Sequence, residues 1–301
     1  MEHWDEGVYM LRANQMQRAS QAPGGPPLIL SCGVHGDELA PVQVLRQLLA
    51  ELQSRTLLPA RPCLLIFANL LALEEKRRFL RHNLNRLFGA RRRVPGYEGE
   101  RVLALEQHCR DFADMYGPGW HLDLHATIKP SRHTHFALQP HCTDPGAPQY
   151  DPRWPATLAQ AGFTALVQQN TPAHTFAHFS CNQLGCASFT LECGDIAGSN
   201  TRAAAPLDHL LRQLLTAGDL PGGSGRLQVY QVTRDLIKQN PDFRFLVDEQ
   251  GDNFAPFPAG TPIARDGATT IVAPEGGCAL IFANSQVPVG DRAGLLLGTA
   301  G

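Results

Sequence analysis

The chain has 301 residues, enough to bury a substantial core and near the size at which one domain often becomes two. Its hydrophobic fraction of 43% and charged fraction of 18% are ordinary for a globular protein, and the net charge of −2 argues against a nucleic-acid partner. The apolar runs are too short for a membrane-spanning helix, and the acidic start does not resemble a signal peptide. The eight cysteines include no CxxC pair, so we expect reduced thiols and a cytoplasmic location. We expect no membrane partner, because the apolar runs are short.

Short apolar runs typical of buried strands alternate along most of the chain with segments that carry apolar residues at helical spacing. Strands are predicted at 27–30, 62–68, 120–126, 136–138, 165–167 and 187–193, and helices at 39–52, 100–116, 157–162 and 201–215. A proline-rich segment, 140–155, is predicted to be a long loop. This alternation predicts an α/β fold with a mostly parallel sheet flanked by helices.

The composition changes at residues 217–225, which are rich in glycine and typical of a linker. The segments that follow are short β-type runs separated by glycine and proline, with little helical pattern; they lie at 227–232, 243–247, 270–272 and 278–282. We therefore predict a catalytic α/β domain at 1–217 and a small, all-β C-terminal domain at 218–301.

The stretch Ser31-Cys-Gly-Val-His-Gly-Asp-Glu38 runs from the first predicted strand into the first predicted helix. His35 and Glu38 are three residues apart and can bind the same cation, and zinc accepts such a pair with a third protein ligand and an open position for water. His125 is the natural third ligand because it ends another strand, and Asp123 on the same face could orient its imidazole. Each signal alone also fits a structural role, such as a first-turn carboxylate for Glu38.

Four further residues have side chains suited to catalysis or to binding a carboxylate. Glu192 ends an apolar strand, where partial desolvation would raise its pKa and suit it to act as a general base. Arg86, beside Asn85, offers planar bidentate donors for a carboxylate, and Arg78 could stabilise a developing oxyanion. The alternatives are a salt-bridged glutamate at a strand end and arginines that only cover the surface.

Together these residues resemble the succinylglutamate desuccinylase/aspartoacylase family, a branch of the zinc carboxypeptidase-like hydrolases. Four blocks carry the resemblance in the right order: Gly33-Val-His-Gly-Asp-Glu38, Arg78 with Asn83-Leu-Asn-Arg86, Asp123-Leu-His125, and Thr190-Leu-Glu-Cys-Gly194. Two C-terminal stretches, Asn253-Phe-Ala-Pro-Phe257 and Val289-Gly-Asp-Arg-Ala-Gly294, are similar to the desuccinylase branch. The resemblance therefore covers most of the chain and implies a zinc carboxypeptidase-like sheet followed by the C-terminal β domain.

The resemblance also implies a role for each matching residue. One zinc ion per chain would be held by three ligands: His35, Glu38 and His125. Glu192 would act first as general base and then as the acid for the leaving amine. Arg78 would polarise the scissile carbonyl. Asn85 and Arg86 would bind the α-carboxylate of the amino-acid half.

The sequence departs from the family pattern in two places. Asn83 stands where the family usually has aspartate, which removes a carboxylate that could have oriented Arg78 or Arg86. After the third ligand, Lys129 replaces the usual arginine and Pro130 the usual glycine. We predict that Lys129 binds the acyl half of the substrate, with Arg132 and His133 as further candidates for its distal carboxylate.

The predicted function is that of a zinc-dependent hydrolase that cleaves the amide of N-succinyl-L-glutamate to succinate and L-glutamate. Such a reaction is the last step of bacterial arginine catabolism by the succinyltransferase route. The alternatives are a related deacylase acting on N-acyl-aspartate, a carboxypeptidase, or a homologue that binds zinc or a ligand without catalysis. The expected partner is a small N-acyl amino acid, and the sequence leaves homo-oligomerisation open.

Overall fold

The structure is a computed structural model that describes residues 1–13, 25–90, 93–143, 151–195, 204–217, 219–220, 223 and 225–299. The strands are β1 Glu2–Asp5, β2 Val8–Leu11, β3 Leu28–Cys32, β4 Cys63–Phe67, β5 Trp120–Thr127, β6 His135–Gln139, β7 Ala165–Gln168, β8 Ala187–Asp195, β9 Gln228–Ile237, β10 Arg244–Phe245, β11 Ala255–Phe257, β12 Pro262–Asp266, β13 Thr269–Val272, β14 Cys278–Ile281 and β15 Arg292–Thr299. The helices are α1 Leu39–Gln53, α2 Leu70–Glu75, α3 Tyr97–Tyr116, α4 Arg153–Gln160, α5 Phe176–Leu184 and α6 Ala205–Thr216, with a 3₁₀ turn at Leu84–Arg86.

Most strands of the described residues join one mixed sheet in the order β1-β2-β4-β3-β5-β8-β6-β7-β9-β15-β14-β11. At its centre β4, β3, β5 and β8 pair in parallel. Helices connect these parallel strands, and both faces of β3 and β4 are buried, which explains their continuous apolar sequences. The predicted α/β class is confirmed.

Helices cover both faces of this sheet, and each face has its own apolar core. On one face α1, α4 and α6 pack against the sheet with leucines at helical spacing, among them Leu45, Leu48 and Leu210. On the other face α3 and α5 contribute Phe112 and Phe176. The two helix layers enclose the central strands. Because these strands are parallel, their carboxyl ends meet at one edge of the sheet.

The C-terminal region is built of strands, as predicted, but four of these strands extend the central sheet. β9 pairs in parallel with β7, and β15, β14 and β11 extend the central sheet beyond it. The remaining strands form a small second sheet in the order β10-β12-β13. Pairing with β9 covers what would otherwise be an exposed edge at β7. The division at residues 217 and 218 stays a prediction.

Several elements were not predicted: β1, β2, α2, α5, β11, β12 and β15. Of these, α5 matters most for the site because it packs beside β5 and β8. Its boundary signals are present in the sequence, since the Thr175 hydroxyl accepts a hydrogen bond from the His178 amide and Gly185 ends the helix at a φ of 68°. Within the described residues, no helix is long and apolar enough to cross a membrane.

Candidate active site

Three neighbouring strands bring the predicted site residues to one face of the sheet. In the register of β3, β5 and β8, Ser31 lies beside Asp123, and His125 lies beside Glu192. His125 and Asp123 are two residues apart on β5, so both point to the same face, as the alternating sequence predicted. The opposite face of β5 carries only apolar side chains in this stretch. One side of a single strand is therefore reserved for polar groups.

The loop after β3 folds back so that Glu38 lies between the two histidines. One carboxylate oxygen, Oε1, is 2.7 Å from His35 Nδ1, and the other, Oε2, is 2.9 Å from His125 Nδ1. The loop can adopt this path because Gly36 lies against α2, where a Cβ would come within 2.1 Å of the Ala72 backbone. All three side chains are buried, with at most 3% of each residue exposed.

The outer ring nitrogens of the two histidines are held by hydrogen-bond acceptors. Asn83 Oδ1 accepts from the Asn85 backbone amide at 3.0 Å, which identifies this atom as the amide oxygen. The same oxygen is 3.1 Å from His35 Nε2 and therefore accepts from it. The carboxylate of Asp123 accepts from His125 Nε2 at 2.9 Å. Both Nδ1 atoms face Glu38, and with the Nε2 hydrogens on these acceptors they could offer their lone pairs to one metal ion shared with the carboxylate.

These atoms of His35, Glu38 and His125 all lie within 4.8 Å of one another and could hold a metal ion; we call the three residues the metal-binding cluster. Asn83 had been interpreted only as a lost carboxylate near the arginines. The structure instead places it on His35, a role that sequence spacing could not reveal.

Glu192 faces this cluster from β8. The residue is only 7% exposed, and among the described residues its Oε2 has no hydrogen-bond partner. Burial, opposed by the charge of His125 and reinforced by that of Glu38, raises the pKa of Glu192 from 4.5 to about 7. A carboxyl group of this kind can take up and release a proton near neutral pH, which is what the predicted general base requires.

Arg78 lies on the other side of Glu38. Its guanidinium donates to Glu38 Oε1 at 3.0 Å and is about one-third exposed, which leaves donors directed away from the carboxylate. The segment that carries Arg78 is fixed by Glu98, whose buried carboxylate accepts the backbone amides of three consecutive residues, Leu80, Arg81 and His82. Glu98 is a further residue that the sequence analysis missed.

The predicted carboxylate clamp lies on the 3₁₀ turn that follows. Asn85 is buried, and its Oδ1 accepts from the Phe176 amide at the start of α5 at 3.0 Å. Burial lowers the pKa of Arg86 to about 10, and the neighbouring charges of Arg292 and Arg78 contribute to that shift. Arg292, the first residue of β15, therefore adds a cation from the C-terminal region, which the sequence analysis did not identify as a site residue.

Lys129, predicted to bind the acyl half of the substrate, contacts the C-terminal region. Its ammonium donates to the backbone carbonyls of Glu249 and Ala283, both in the C-terminal region. Of the two further candidates, His133 bonds to Thr164 and Tyr230, at 3.0 and 3.1 Å. These contacts give Lys129 and His133 a role in holding the loop after β5 against the C-terminal region, and substrate binding by Lys129 stays a prediction.

Replacing Lys129 by methionine separates these two roles. We expect the free energy of unfolding to fall by about 1–3 kcal/mol, because two part-buried carbonyls lose charge-assisted donors. The Michaelis constant is expected to stay within about twofold, since two of the three ammonium donors already bind these carbonyls. Denaturant unfolding and steady-state kinetics on one preparation measure both quantities. A large rise in the Michaelis constant at unchanged stability would instead restore Lys129 as a substrate ligand.

Comparison with known proteins identifies the family. Residues 24–217 match the succinylglutamate desuccinylase/aspartoacylase catalytic domain, and residues 225–300 match the AstE/AspA barrel-sandwich hybrid domain. The chain belongs to the succinylglutamate desuccinylase/aspartoacylase family. The resemblance inferred from the motifs is thus confirmed, and it extends through the C-terminal strands.

Members of this family with curated names are similar over nearly the whole chain. A succinylglutamate desuccinylase of Shewanella denitrificans is 32% identical over 99% of this chain and 87% of its own length. One of Pseudomonas aeruginosa is 34% identical over 91% of this chain and 84% of its own length. The crystal structure of succinylglutamate desuccinylase from Vibrio parahaemolyticus superposes with a TM-score of 0.88 at 29% identity, covering 98% of this chain and 86% of that one. The predicted zinc carboxypeptidase-like fold is confirmed by this similarity.

Proposed function

We propose that this protein is a zinc-dependent hydrolase that cleaves the amide of N-succinyl-L-glutamate to succinate and L-glutamate. The observation that carries the proposal is the convergence of the metal-binding cluster with Glu192, a buried carboxyl group whose pKa is near neutrality. The named relatives support the choice of substrate, because they are succinylglutamate desuccinylases similar over most of their length.

The donor set supports zinc as the metal, at one ion per chain. Two imidazole nitrogens and one carboxylate oxygen are a common set for catalytic zinc, which keeps a further position open. When bound, zinc polarises the amide carbonyl and makes a water molecule more acidic. Hydrogen bonds from the outer nitrogens of His35 and His125 keep the Nδ1 lone pairs directed to the ion.

The residues around the cluster would carry the proton and the developing charge. Glu192 takes a proton from the attacking water and returns it to the amide nitrogen, so that glutamate leaves as an amine. Arg78 keeps donors free beyond its bond to Glu38, and these would stabilise the oxyanion that forms on the carbonyl oxygen. The burial of Glu192 excludes bulk water from the proton it carries.

The cations at the mouth of the site suit a substrate rich in carboxylates. N-succinyl-L-glutamate carries three carboxylates: one on the acyl half and two on the glutamate half. Arg86, next to Asn85, would bind the α-carboxylate through its planar fork. Arg292 lies close enough to influence the pKa of Arg86 and is paired with Asp235 at 3.5 Å, and its remaining donors would bind the side-chain carboxylate of glutamate. Hydrolysis would then complete arginine catabolism by the succinyltransferase route in the cytoplasm.

A substrate panel on the zinc-loaded enzyme tests the proposal. We expect kcat/KM for N-succinyl-L-glutamate to exceed that for N-acetyl-L-aspartate and for a short peptide by at least about 100-fold, because acetylaspartate lacks the acyl carboxylate and has a side chain one CH2 shorter, and the peptide lacks the succinyl group. Release of free amino acid, followed by chromatography, measures the rates, and zinc content is determined on the same samples. N-succinyl-L-glutamine is the matched control, since it lacks only the side-chain carboxylate.

The other outcomes identify other functions. Fastest turnover of acetylaspartate would indicate an aspartoacylase-like deacylase, and fastest turnover of the peptide a carboxypeptidase. Bound zinc without turnover of any of these substrates would indicate a homologue that binds the metal without this catalysis.

A further inference from the structure

A chain of hydrogen bonds runs from the metal-binding cluster into the core between the sheet and α5. It starts at Asp123, passes through Ser31 and His121, and ends at Ser180 and Ser188. The oxygen–nitrogen and oxygen–oxygen distances along it are 2.6 Å from Ser31 Oγ to Asp123 Oδ1, 2.8 Å from Ser31 Oγ to His121 Nε2, 2.6 Å from His121 Nδ1 to Ser180 Oγ, and 2.8 Å from Ser180 Oγ to Ser188 Oγ. All five residues are 0% exposed.

With His121 neutral, the geometry fixes the direction of every hydrogen bond in this relay of five side chains. Asp123 accepts only, so the single hydroxyl hydrogen of Ser31 points to it. The Ser31 oxygen must then accept from His121, which places the ring hydrogen on Nε2 and leaves Nδ1 as an acceptor. Ser180 therefore donates to Nδ1, and Ser188 donates to Ser180. All the hydrogens point along the relay toward the carboxylate.

A neutral His121 is the form that this direction requires. Burial lowers the pKa of His121 to about 4, with the charge of Asp123 opposing that shift and His125 adding to it. The competing acceptors for the two outer hydroxyls are backbone carbonyls at longer distances, 3.2 Å for Ser180 and 3.3 Å for Ser188. The short contacts of 2.6 and 2.8 Å favour the relay over these alternatives.

Burying the polar side chains of the relay costs desolvation free energy, and a role in fold stability alone does not explain that cost. The neighbouring positions on the other face of β5, Leu122 and Leu124, are apolar and fully buried. Leucine or phenylalanine at 31 or 121 would bury apolar surface without the need to satisfy several polar atoms. The polar line instead ends on Asp123, the only group through which it contacts His125 among the described residues.

We propose that Ser31 and His121 are positioning residues for the metal site, acting through Asp123 to hold His125 with Nδ1 toward Glu38. The inference rests on the proposed function, because it assumes that His125 binds the metal. Ser31 occupies one oxygen of Asp123, so the other oxygen stays on His125 Nε2. Without the Ser31 hydroxyl, the carboxylate can rotate about its Cβ–Cγ bond and release the imidazole from its orientation.

The test compares zinc affinity, kinetics and a spectroscopic signature in the full-length protein. Partners of metal-binding histidines typically contribute 10- to 100-fold to metal affinity, and Ser31 lies one step farther out. We therefore expect Ser31→Ala to raise the zinc dissociation constant about 10-fold, measured by competition with a chromophoric chelator. At saturating zinc, kcat should fall while KM stays within about twofold, because the substrate cations are untouched.

His121 gives a second pair of variants that keeps the inference testable if Ser31→Ala does not fold. His121→Gln retains an amide donor for Ser31, so its zinc affinity should lie closer to wild type than that of His121→Leu. Ser188→Ala, at the far end of the relay, is the matched control for loss of a buried hydroxyl, and we expect it to change zinc affinity less than about twofold. Nitrogen NMR of the wild-type imidazoles should show His121 neutral with its hydrogen on Nε2.

Each result separates this inference from the proposed function. A wild-type protein that binds no zinc contradicts the proposed function itself. Wild-type zinc binding with unchanged affinity in Ser31→Ala and His121→Leu contradicts only the positioning role. A hydrogen on His121 Nδ1 instead of Nε2 would overturn the direction of the relay.

Discussion

Replacing Glu192 by glutamine is expected to lower kcat by about 10³-fold, because one side chain would lose both the base that activates water and the acid that protonates the leaving amine. Glutamine keeps the size and the buried position, so the structure around it should be preserved. Zinc content should stay at one per chain, since the three ligands are on other residues. Steady-state kinetics with metal analysis measures both. A variant that retains zinc and full activity would exclude Glu192 as the base.

The pH dependence of the same variant provides an independent check. Because the pKa of Glu192 is raised from 4.5 to about 7, the fold favours the neutral carboxyl group, and its ionisation destabilises the native state as pH rises. In metal-free protein, Glu192→Gln should match wild type near pH 4 and become more stable above pH 7, by up to roughly 3 kcal/mol. Denaturant unfolding at several pH values measures this difference. Equal stabilities at pH 8 would mean that the carboxyl group has an ordinary pKa.

The convergence of the three candidate metal ligands could be predicted because the rules involved are local. His35 and Glu38 follow one strand, His125 ends another, and the carboxyl ends of parallel strands meet at one edge of a sheet. The chemistry of two imidazoles and one carboxylate then favoured zinc as the metal. The alternation of residues 120–126 correctly gave one polar face, since side-chain direction in a strand depends only on its period of two.

The partners of these ligands could not be predicted, because they depend on where distant segments pack. Asn83 contacts His35 directly after a backbone segment, residues 80–82, that is held by Glu98, 15 residues farther along the chain than Asn83. The relay needs Ser180, which lies on a helix that hydrophobic periodicity did not reveal. Arg292 enters the site because β9 extends the central sheet and carries β15 with it. Such non-local pairing has no signature in a single sequence.

The contacts of Lys129 with the C-terminal region could not be predicted from the sequence. Its position in the motif predicts a contact with the acyl group, which stays a prediction, but does not indicate that the following loop lies against a segment distant in the chain. The Asn253 amide donates to the Pro130 carbonyl at 2.9 Å, and the Arg132 amide donates to the Asn253 carbonyl at 3.2 Å. The ammonium of Lys129 reaches carbonyls of the same region. These contacts depend on where distant segments pack, which the motif does not encode.

The substitution Glu38→Gln is expected to abolish zinc binding, with kcat/KM falling at least about 10³-fold. Each oxygen of Glu38 already accepts a hydrogen bond: Oε1 from Arg78 and Oε2 from the Ala126 amide, both at 3.0 Å. Either orientation of a glutamine amide would place its NH₂ group against one of these donors. The variant therefore loses a charge at the metal and also gains a donor–donor clash that a simple ligand deletion would not have.

Asp37→Asn is the matched control, because it makes the same chemical change at the adjacent residue, which is outside the ligand set. Its zinc content should remain at one per chain, whereas Glu38→Gln should retain less than about one tenth of that. Chelation of wild type should abolish activity, and zinc should restore it; free zinc at 1,000 times its dissociation constant should also add about 4 kcal/mol to the free energy of unfolding. Full activity in chelated wild type would contradict the zinc mechanism. Normal zinc content in Glu38→Gln would contradict only the ligand assignment, because the metal would then be bound elsewhere.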